Sequence, residues 1–105
     1  MIIEIDNAKA LELLENNSIM VIDARTPYEI DDSELLTEDA INLDISNKDH
    51  FEMMVEMLSK DLEYLIYSNN GIASIRLARI LEEKGFETIY NLTEGLTGLD
   101  KDNSC

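Results

Sequence analysis

The sequence predicts an α/β fold, built as a five-stranded, mainly parallel sheet with helices on both faces. Short apolar runs that fit strands alternate along the chain with amphipathic stretches that fit helices. Some of these runs are nearly continuous, which is typical of parallel strands that are covered on both sides. The 105 residues suffice for one domain, which we expect at 1–99, followed by a flexible polar tail at 100–105.

The first strand and the first helix are predicted at the start of the chain. The run IIEI at 2–5 fits a short strand, and Asp6 is a suitable N-cap for a helix over 7–17. We expect the apolar face of this helix to be formed by Ala8, Leu11 and Leu14.

The middle of the chain supplies two strands and a second helix. The apolar runs at 19–24 and 40–45 predict the strands, and Pro27 is suited to the first position of a short helix between them. A helix over 47–60 is indicated by apolar residues at helical spacing, namely Phe51, Met54, Val55 and Leu58. Two methionines exceed what this stripe needs, so we expect a small exposed apolar patch at Met53 and Met57.

The last part of the chain predicts a strand, a helix and a final strand. The run at 63–67 fits the fourth strand, a helix is expected over 72–84, and the run at 87–92 fits the fifth strand. Gly85 directly follows the helix, where a C-terminal capping glycine is common. We expect the inward face of this helix to comprise Ile72, Ile75, Leu77, Ala78, Ile80 and Leu81.

The charge balance restricts the classes of partner. Eight basic residues against 23 acidic ones give a net charge of −15. We therefore expect no nucleic-acid binding, which needs neutralisation of phosphates, and no attachment to an anionic membrane surface. No apolar run reaches the roughly 18 residues of a membrane span. The N-terminus lacks the features of a signal peptide, so we expect a cytoplasmic location.

One segment is unusually acidic. The stretch EIDDSELLTED at 29–39 carries six acidic residues and no basic one. We interpret it as a solvated connection between strands. The alternative is an acidic docking surface for a basic protein partner.

Three motifs occur in an order that resembles a single-domain rhodanese. They are VIDARTPYE at 21–29, AINLDI at 40–45, and YSNNGIASIRLARILEEKGFETIYNLTEGLTGL at 67–99. Together the three motifs cover nearly the whole chain. The resemblance implies a five-stranded parallel sheet between helices, with the active site at the carboxyl ends of the strands.

In rhodaneses the active-site loop begins with a cysteine, which takes a sulfur atom from a donor such as thiosulfate. The resulting persulfide passes the sulfur to a nucleophilic acceptor. On this chain the cysteine position falls on Ser68, and the two usual loop arginines fall on Asn69 and Ala73. Gly71 and Ser74 keep the family residue. The resemblance thus places the candidate site in a loop made of Ser68, Asn69, Asn70, Gly71, Ile72, Ala73 and Ser74.

Other parts of the family pattern are kept or lost. Asp23 and Arg25 match a pair that helps to hold the loop in the family, so we expect a scaffold role and an internal ion pair. The usual Gly-His-Ile-x-Gly-Ala motif is replaced by SELLTEDA, and the terminal aromatic residue is replaced by Leu99.

The loop residues do not favour sulfur transfer. A serine hydroxyl cannot form a persulfide, and it becomes a nucleophile only beside a base. His50, the only histidine, starts a helix and has no motif around it. Two interpretations of the loop stay open, namely a plain βα turn whose Ser or Asn caps the helix, or a cradle of N–H groups that binds a small anion weakly. We expect neither a cofactor nor a metal site.

Two further features have a structural and a functional interpretation. Arg76, which lies with Arg79 on the helix after the loop, is expected to face solvent and to pair with an acid, and the alternative is that it turns toward a ligand near Ser68. Cys105 is expected to be an incidental terminal thiol, and the alternative is a sulfur carrier on a folded-back tail.

The function expected from the sequence is that of a rhodanese-like domain without sulfurtransferase activity, acting as a binding or regulatory module. The alternative is a thiosulfate-type sulfurtransferase whose cysteine at position 68 has been replaced by serine through an engineered change.

Overall fold

The computed structural model describes residues 1–15, 19–26 and 39–97. The short helix expected at Pro27, nearly all of the acidic segment and the C-terminal tail with Leu99 and Cys105 lie outside these residues. The described elements in chain order are β1 (Ile2–Ile5), α1 (Asn7–Leu14), β2 (Met20–Asp23), β3 (Ile41–Asn42), α2 (Lys48–Glu56), β4 (Glu63–Tyr67), α3 (Ile72–Glu83) and β5 (Thr88–Leu92).

These strands form one parallel sheet in the order β1-β5-β4-β2-β3, which confirms the predicted fold class. The central strand β4 lies between β5 and β2, and its last residues pair with the end of β2 through Tyr67 and Asp23. Because β2 and β4 are parallel and adjacent, their carboxyl ends lie side by side. The segments that follow these two strands therefore meet at one place.

Separate apolar cores lie on the two faces of the sheet, because neighbouring residues of a strand point to opposite sides. On β2, Val21 belongs to one core and Ile22 to the other. The core around Ile22 contains residues of α2 and α3, whereas the core around Val21 contains Ala10 of α1. Helices thus cover both faces, as the sequence predicts.

The first helix differs from its prediction in length and in orientation. It ends at Leu14 rather than at residue 17, and Asp6 caps it by accepting a hydrogen bond from the N–H group of Lys9. The predicted face was wrong at Ala8 and Leu11, since Leu11 is 54% exposed and Ala8 is exposed, and correct at Leu14. The inward stripe is formed by the buried Ala10 and the partly buried Leu13 and Leu14.

The other two helices follow their predictions more closely. On α2 the expected stripe is inside, with Phe51 and Val55 buried, and Met53 and Met57 are exposed as predicted. On α3 the expected inward face is correct except at Ile72, which is 56% exposed. Gly85 follows α3 with a φ of 99°, as expected for a capping glycine.

The strand predicted at 40–45 is shorter in the structure. Only Ile41–Asn42 forms β3, because only two residues at the end of β2, Ile22 and Asp23, pair with it. None of the helices within the described ranges combines the length and the apolar character that crossing a membrane requires.

Candidate functional site

The candidate loop, residues 68–74, begins directly after β4 and ends in the first turn of α3. Ser68 is 2% exposed, so its side chain points into the protein. Its Oγ accepts hydrogen bonds from the N–H groups of Gly71 (3.1 Å) and Ser74 (3.3 Å). The Ser68 hydroxyl donates in turn to Ser74 Oγ (3.2 Å), and the Ser74 hydroxyl lies 3.1 Å from the carbonyl oxygen of Gly71. The hydrogen-bond partners of the Ser68 side chain thus belong to the loop itself.

The backbone of the loop depends on Gly71. This residue has a φ of 87°, a region that favours glycine, and a Cβ here would overlap with the carbonyl oxygen of Thr93. Asn70 accepts a hydrogen bond from the N–H group of Ile72 through Oδ1 at 3.1 Å. Side chains of the loop thus bind the N–H groups at the start of α3, which have no partner within the helix.

The segment after β5 packs against the backbone of the loop. The N–H group of Leu96 donates to the carbonyl oxygen of Ser68 at 3.0 Å, and that of Thr97 donates to the carbonyl oxygen of Asn69 at 2.8 Å. Gly95 has a φ of 64° and lies so close that a Cβ would overlap with the backbone of Ser68 and Asn69. The two backbone segments are therefore packed against each other.

Asp23 and Arg25 form the expected internal ion pair beside the loop. Arg25 Nη2 lies 2.8 Å from Asp23 Oδ2, and Nε lies 3.0 Å from Oδ1. Both side chains are buried, with 1% and 0% exposure. The hydrogen bond to Asp23 raises the pKa of the Arg25 guanidinium, although burial acts in the opposite direction. Arg25 Nη1 also reaches Asn69 Oδ1 at 3.4 Å, which connects the pair to the loop.

Two residues that sequence reasoning missed complete this arrangement. The Tyr67 hydroxyl donates to Asp23 Oδ2 at 2.8 Å, and its ring centre lies 5.5 Å from the Arg25 guanidinium carbon. Asn42 Nδ2 donates to the carbonyl oxygens of Asp23 (3.0 Å) and Arg25 (2.8 Å). The signal for Tyr67 was a tyrosine at a buried strand end, where its hydroxyl needs a partner. We call Asp23, Arg25, Tyr67, Ser68 and Ser74 the buried polar cluster.

The structure separates the remaining candidates from this cluster. His50 lies exposed at the start of α2 and is not among the partners of Ser68, none of which is a base. Arg76 is exposed as expected, but the expected pairing with an acid is wrong, because no carboxylate of the described residues lies within 4.0 Å of it. Arg76 and Arg79 line a groove on α3 together with residues of β1 and β5. In the part of the chain that the structure describes, no group of three acidic, histidine or cysteine side chains is placed to hold a metal ion.

The fold agrees with comparisons with known proteins. A family model described as "Rhodanese-like domain" matches residues 6–102 of the chain. The chain belongs to the rhodanese-like domain family. In solved structures, the rhodanese-related protein of Thermoplasma volcanium matches with a TM-score of 0.76 and 20% identity, covering 95% of this chain and 92% of that one. At this identity the structural likeness shows the fold alone.

Curated relatives of this rhodanese-like domain include enzymes. The thiosulfate sulfurtransferase GlpE of Pseudoalteromonas translucida is 31% identical over 90 residues, which cover 86% of this chain and 81% of that protein. The tRNA uridine(34) hydroxylase of Pelagibacter ubique is 27% identical over 92 residues, which cover 88% of this chain. This domain spans only 30% of the length of the hydroxylase.

Proposed function

We propose that this rhodanese-like domain does not transfer sulfur and acts as a binding or regulatory module. The observation that carries the proposal is the state of Ser68, the residue that falls on the family's cysteine position. Its hydroxyl is buried and hydrogen-bonded to two N–H groups and a second hydroxyl, and no base is among these partners.

The chemistry of sulfur transfer supports this proposal. A persulfide forms on a thiolate, and a serine oxygen cannot replace the sulfur in that step. A serine nucleophile would need an adjacent base, and the hydrogen-bond partners of Ser68 Oγ among the described residues are two N–H groups and a hydroxyl. The family's loop arginines fall on Asn69 and Ala73, so the loop also lacks charge-assisted hydrogen bonds for an anionic donor.

Weak binding of a small anion at the loop remains a prediction. The N–H groups of Gly71 and Ser74, which would contribute to an anion cradle, donate to Ser68 Oγ. An anion at that point must displace the serine hydroxyl, which lowers its affinity by the strength of the bonds lost. The net charge of −15 disfavours anions further.

The first experiment measures sulfur transfer from thiosulfate to cyanide by the full chain and by its Cys105→Ser variant. We expect both proteins to give the rate of a blank without protein. Turnover well above the blank that survives the loss of Cys105 overturns the proposal. Turnover that disappears with Cys105 instead assigns the activity to the terminal thiol.

The engineered-serine alternative is tested by Ser68→Cys in the Cys105→Ser background. We expect the new thiol alone to leave turnover far below that of the GlpE relatives, because the loop arginines are still absent. Turnover equal to that of a GlpE enzyme measured in parallel would establish the alternative, a sulfurtransferase lacking only its cysteine.

The proposed binding role includes a basic protein partner in a cytoplasmic setting. The acidic segment at 29–39 supplies the charge for such a partner. Capture of the partner on immobilised domain should fade as the salt concentration rises, because screening weakens exposed charge pairs. Equal retention at low and high salt contradicts an electrostatic docking surface.

A further inference from the structure

A groove of about 440 Å³ lies beside the candidate loop, between the first turns of α3 and the carboxyl ends of β1 and β5. We call it the α3 groove and define it by Glu4, Ile72, Ile75, Arg76, Arg79 and Asn91. Its volume falls in the range of small-molecule sites, about 300–1,000 Å³. Asn70 and Gly71 of the candidate loop also line it, whereas the buried polar cluster contributes no side chain to it.

The polar side chains on the sheet side of the groove, Glu4 and Asn91, are brought together by the register of β1 and β5. Ile2 pairs with Ile89, and two positions further along the same face Glu4 pairs with Asn91. The isoleucines belong to the core under α3, whereas the acid and the amide lie where that core ends. The sheet thus presents polar side chains below the first turns of the helix.

The helix side of the groove carries two guanidinium groups. Arg76 and Arg79 are three positions apart on α3, so they share a face. In the described ranges 1–15, 19–26 and 39–97, neither arginine has a carboxylate within 4.0 Å. Guanidinium groups bind carboxylates through paired hydrogen bonds, so this side of the groove suits a carboxylate.

The sheet side of the groove carries hydrogen-bond acceptors. Glu4 Oε1 accepts from Asn91 Nδ2 (2.7 Å) and Thr93 Oγ1 (2.8 Å), and these bonds hold the Glu4 carboxylate in place. Asn91 is 1% exposed, and within the described residues its Oδ1 has no hydrogen-bond partner. Because this oxygen is itself buried, the acceptor that the sheet side offers to a ligand is the exposed Glu4 carboxylate.

From these two sides we infer that the α3 groove binds a small zwitterion with an apolar side chain, such as an α-amino acid. Its carboxylate binds Arg76 and Arg79, and its ammonium group donates to the exposed Glu4 carboxylate. Its apolar part lies against the exposed Ile72 and the half-buried Ile75. This inference goes beyond the proposed function, because it holds whether or not the loop transfers sulfur.

The test compares three matched probes on the full chain by following backbone amide NMR signals. L-Leucine carries both charges, isocaproate lacks the ammonium group, and isoamylamine lacks the carboxylate. We expect L-leucine to shift the signals of Arg76 and Asn91 and to bind at least about tenfold more tightly than either single-charge probe. Binding of isocaproate as tight as that of L-leucine, or no shift at the groove residues, overturns the inference.

Variants of the groove test which residues bind each end of the probe. Arg76→Gln and Arg79→Gln should each weaken L-leucine binding by about tenfold, and Glu4→Gln should do so through the ammonium group. Lys48→Gln removes the same unit of charge from an exposed position on α2 and should leave the affinity unchanged. An equal loss in Lys48→Gln would reduce the effect to net charge and contradict a built site.

The same protein preparations are assayed for thiosulfate turnover, which separates the two proposals. Turnover with normal L-leucine binding overturns the proposed function and leaves the groove intact. Absence of both turnover and L-leucine binding overturns the groove alone.

Discussion

The buried polar cluster and the α3 groove lie beside each other at the carboxyl ends of the strands, yet their arginines differ in whether they have a carboxylate partner within the protein. In the cluster, Arg25 binds Asp23, Tyr67 binds the same carboxylate, and Ser68 binds the backbone of its own loop. In the groove, two arginines have no carboxylate within 4.0 Å among the described residues, and a buried amide oxygen has no donor.

This difference separates groups that hold the fold from groups that are left for a ligand. A buried polar group whose partners lie within the protein stabilises one conformation, and removing either partner leaves the other unsatisfied. An exposed polar group without an internal partner adds little to stability and retains its capacity to bind. Measurements of stability should therefore rank the two regions, with the cluster far above the groove.

The largest loss of stability is expected for Arg25→Met. The substitution leaves the Asp23 carboxylate buried without its cation, which should lower the free energy of unfolding by about 3–5 kcal/mol in urea titrations. The control is Lys84→Met, which breaks an exposed pair with Glu52 at 3.3 Å and should cost about 0–1 kcal/mol. Similar losses in the two variants would mean that the cluster does not hold the fold.

A smaller loss is expected for Gly71→Ala. The added Cβ meets the Thr93 carbonyl oxygen and forces a positive φ on alanine, so we expect a loss of about 2–4 kcal/mol in thermal or urea unfolding. Gly85→Ala is the matched control, because Gly85 also has a positive φ but its nearest atom is a Lys60 side-chain carbon at 3.7 Å. Only the strain of the positive φ, about 1–2 kcal/mol, should remain there. Equal losses would contradict the close packing of the loop under Thr93.

Ser68→Ala tests the internal bonds of the loop directly. It removes the acceptor of the Gly71 and Ser74 N–H groups and should lower the free energy of unfolding by about 1–3 kcal/mol. Ser46→Ala deletes an exposed hydroxyl that donates to Asp44, and a change within about 0.5 kcal/mol is expected. If Ser68→Ala is as mild as Ser46→Ala, the loop does not depend on its serine, and its N–H groups are available to an anion.

The smallest effect is expected in the groove. Arg76→Gln and Arg79→Gln should each change the free energy of unfolding by less than about 0.5 kcal/mol, because both side chains are exposed and neither forms an ion pair with the described residues. A loss above about 1 kcal/mol in either variant would show that the arginine stabilises the fold, which removes the contrast between the two regions.

The fold and the ion pair were predictable because their signals are local. Alternating apolar runs indicate a parallel α/β sheet, and Asp23 and Arg25 stand two residues apart at a strand end. The inward face of α1 was not predictable in this way. Leu14 belongs both to the stripe with Leu11 and to the stripe with Ala10, and only packing against the sheet selects between them.

The groove and the inner contacts of the loop depend on distant parts of the chain. Glu4 and Asn91 meet through strand pairing across 87 positions, which no local pattern reveals. Likewise, the contact between Tyr67 and Asp23 depends on the register of β4 and β2. The resemblance predicts that the family's cysteine position falls on Ser68, but only the folded chain shows which groups the serine hydroxyl contacts.

The most direct test of the central claim is the mass of a Ser68→Cys, Cys105→Ser chain after incubation with thiosulfate. We propose that the loop lacks the charges for sulfur transfer as well as the thiol. We therefore expect most of the protein to keep its original mass, while a GlpE enzyme treated in parallel gains one sulfur atom. Complete gain of one cyanide-removable sulfur atom by the variant would contradict the proposed function, because the loop would then lack nothing but its cysteine.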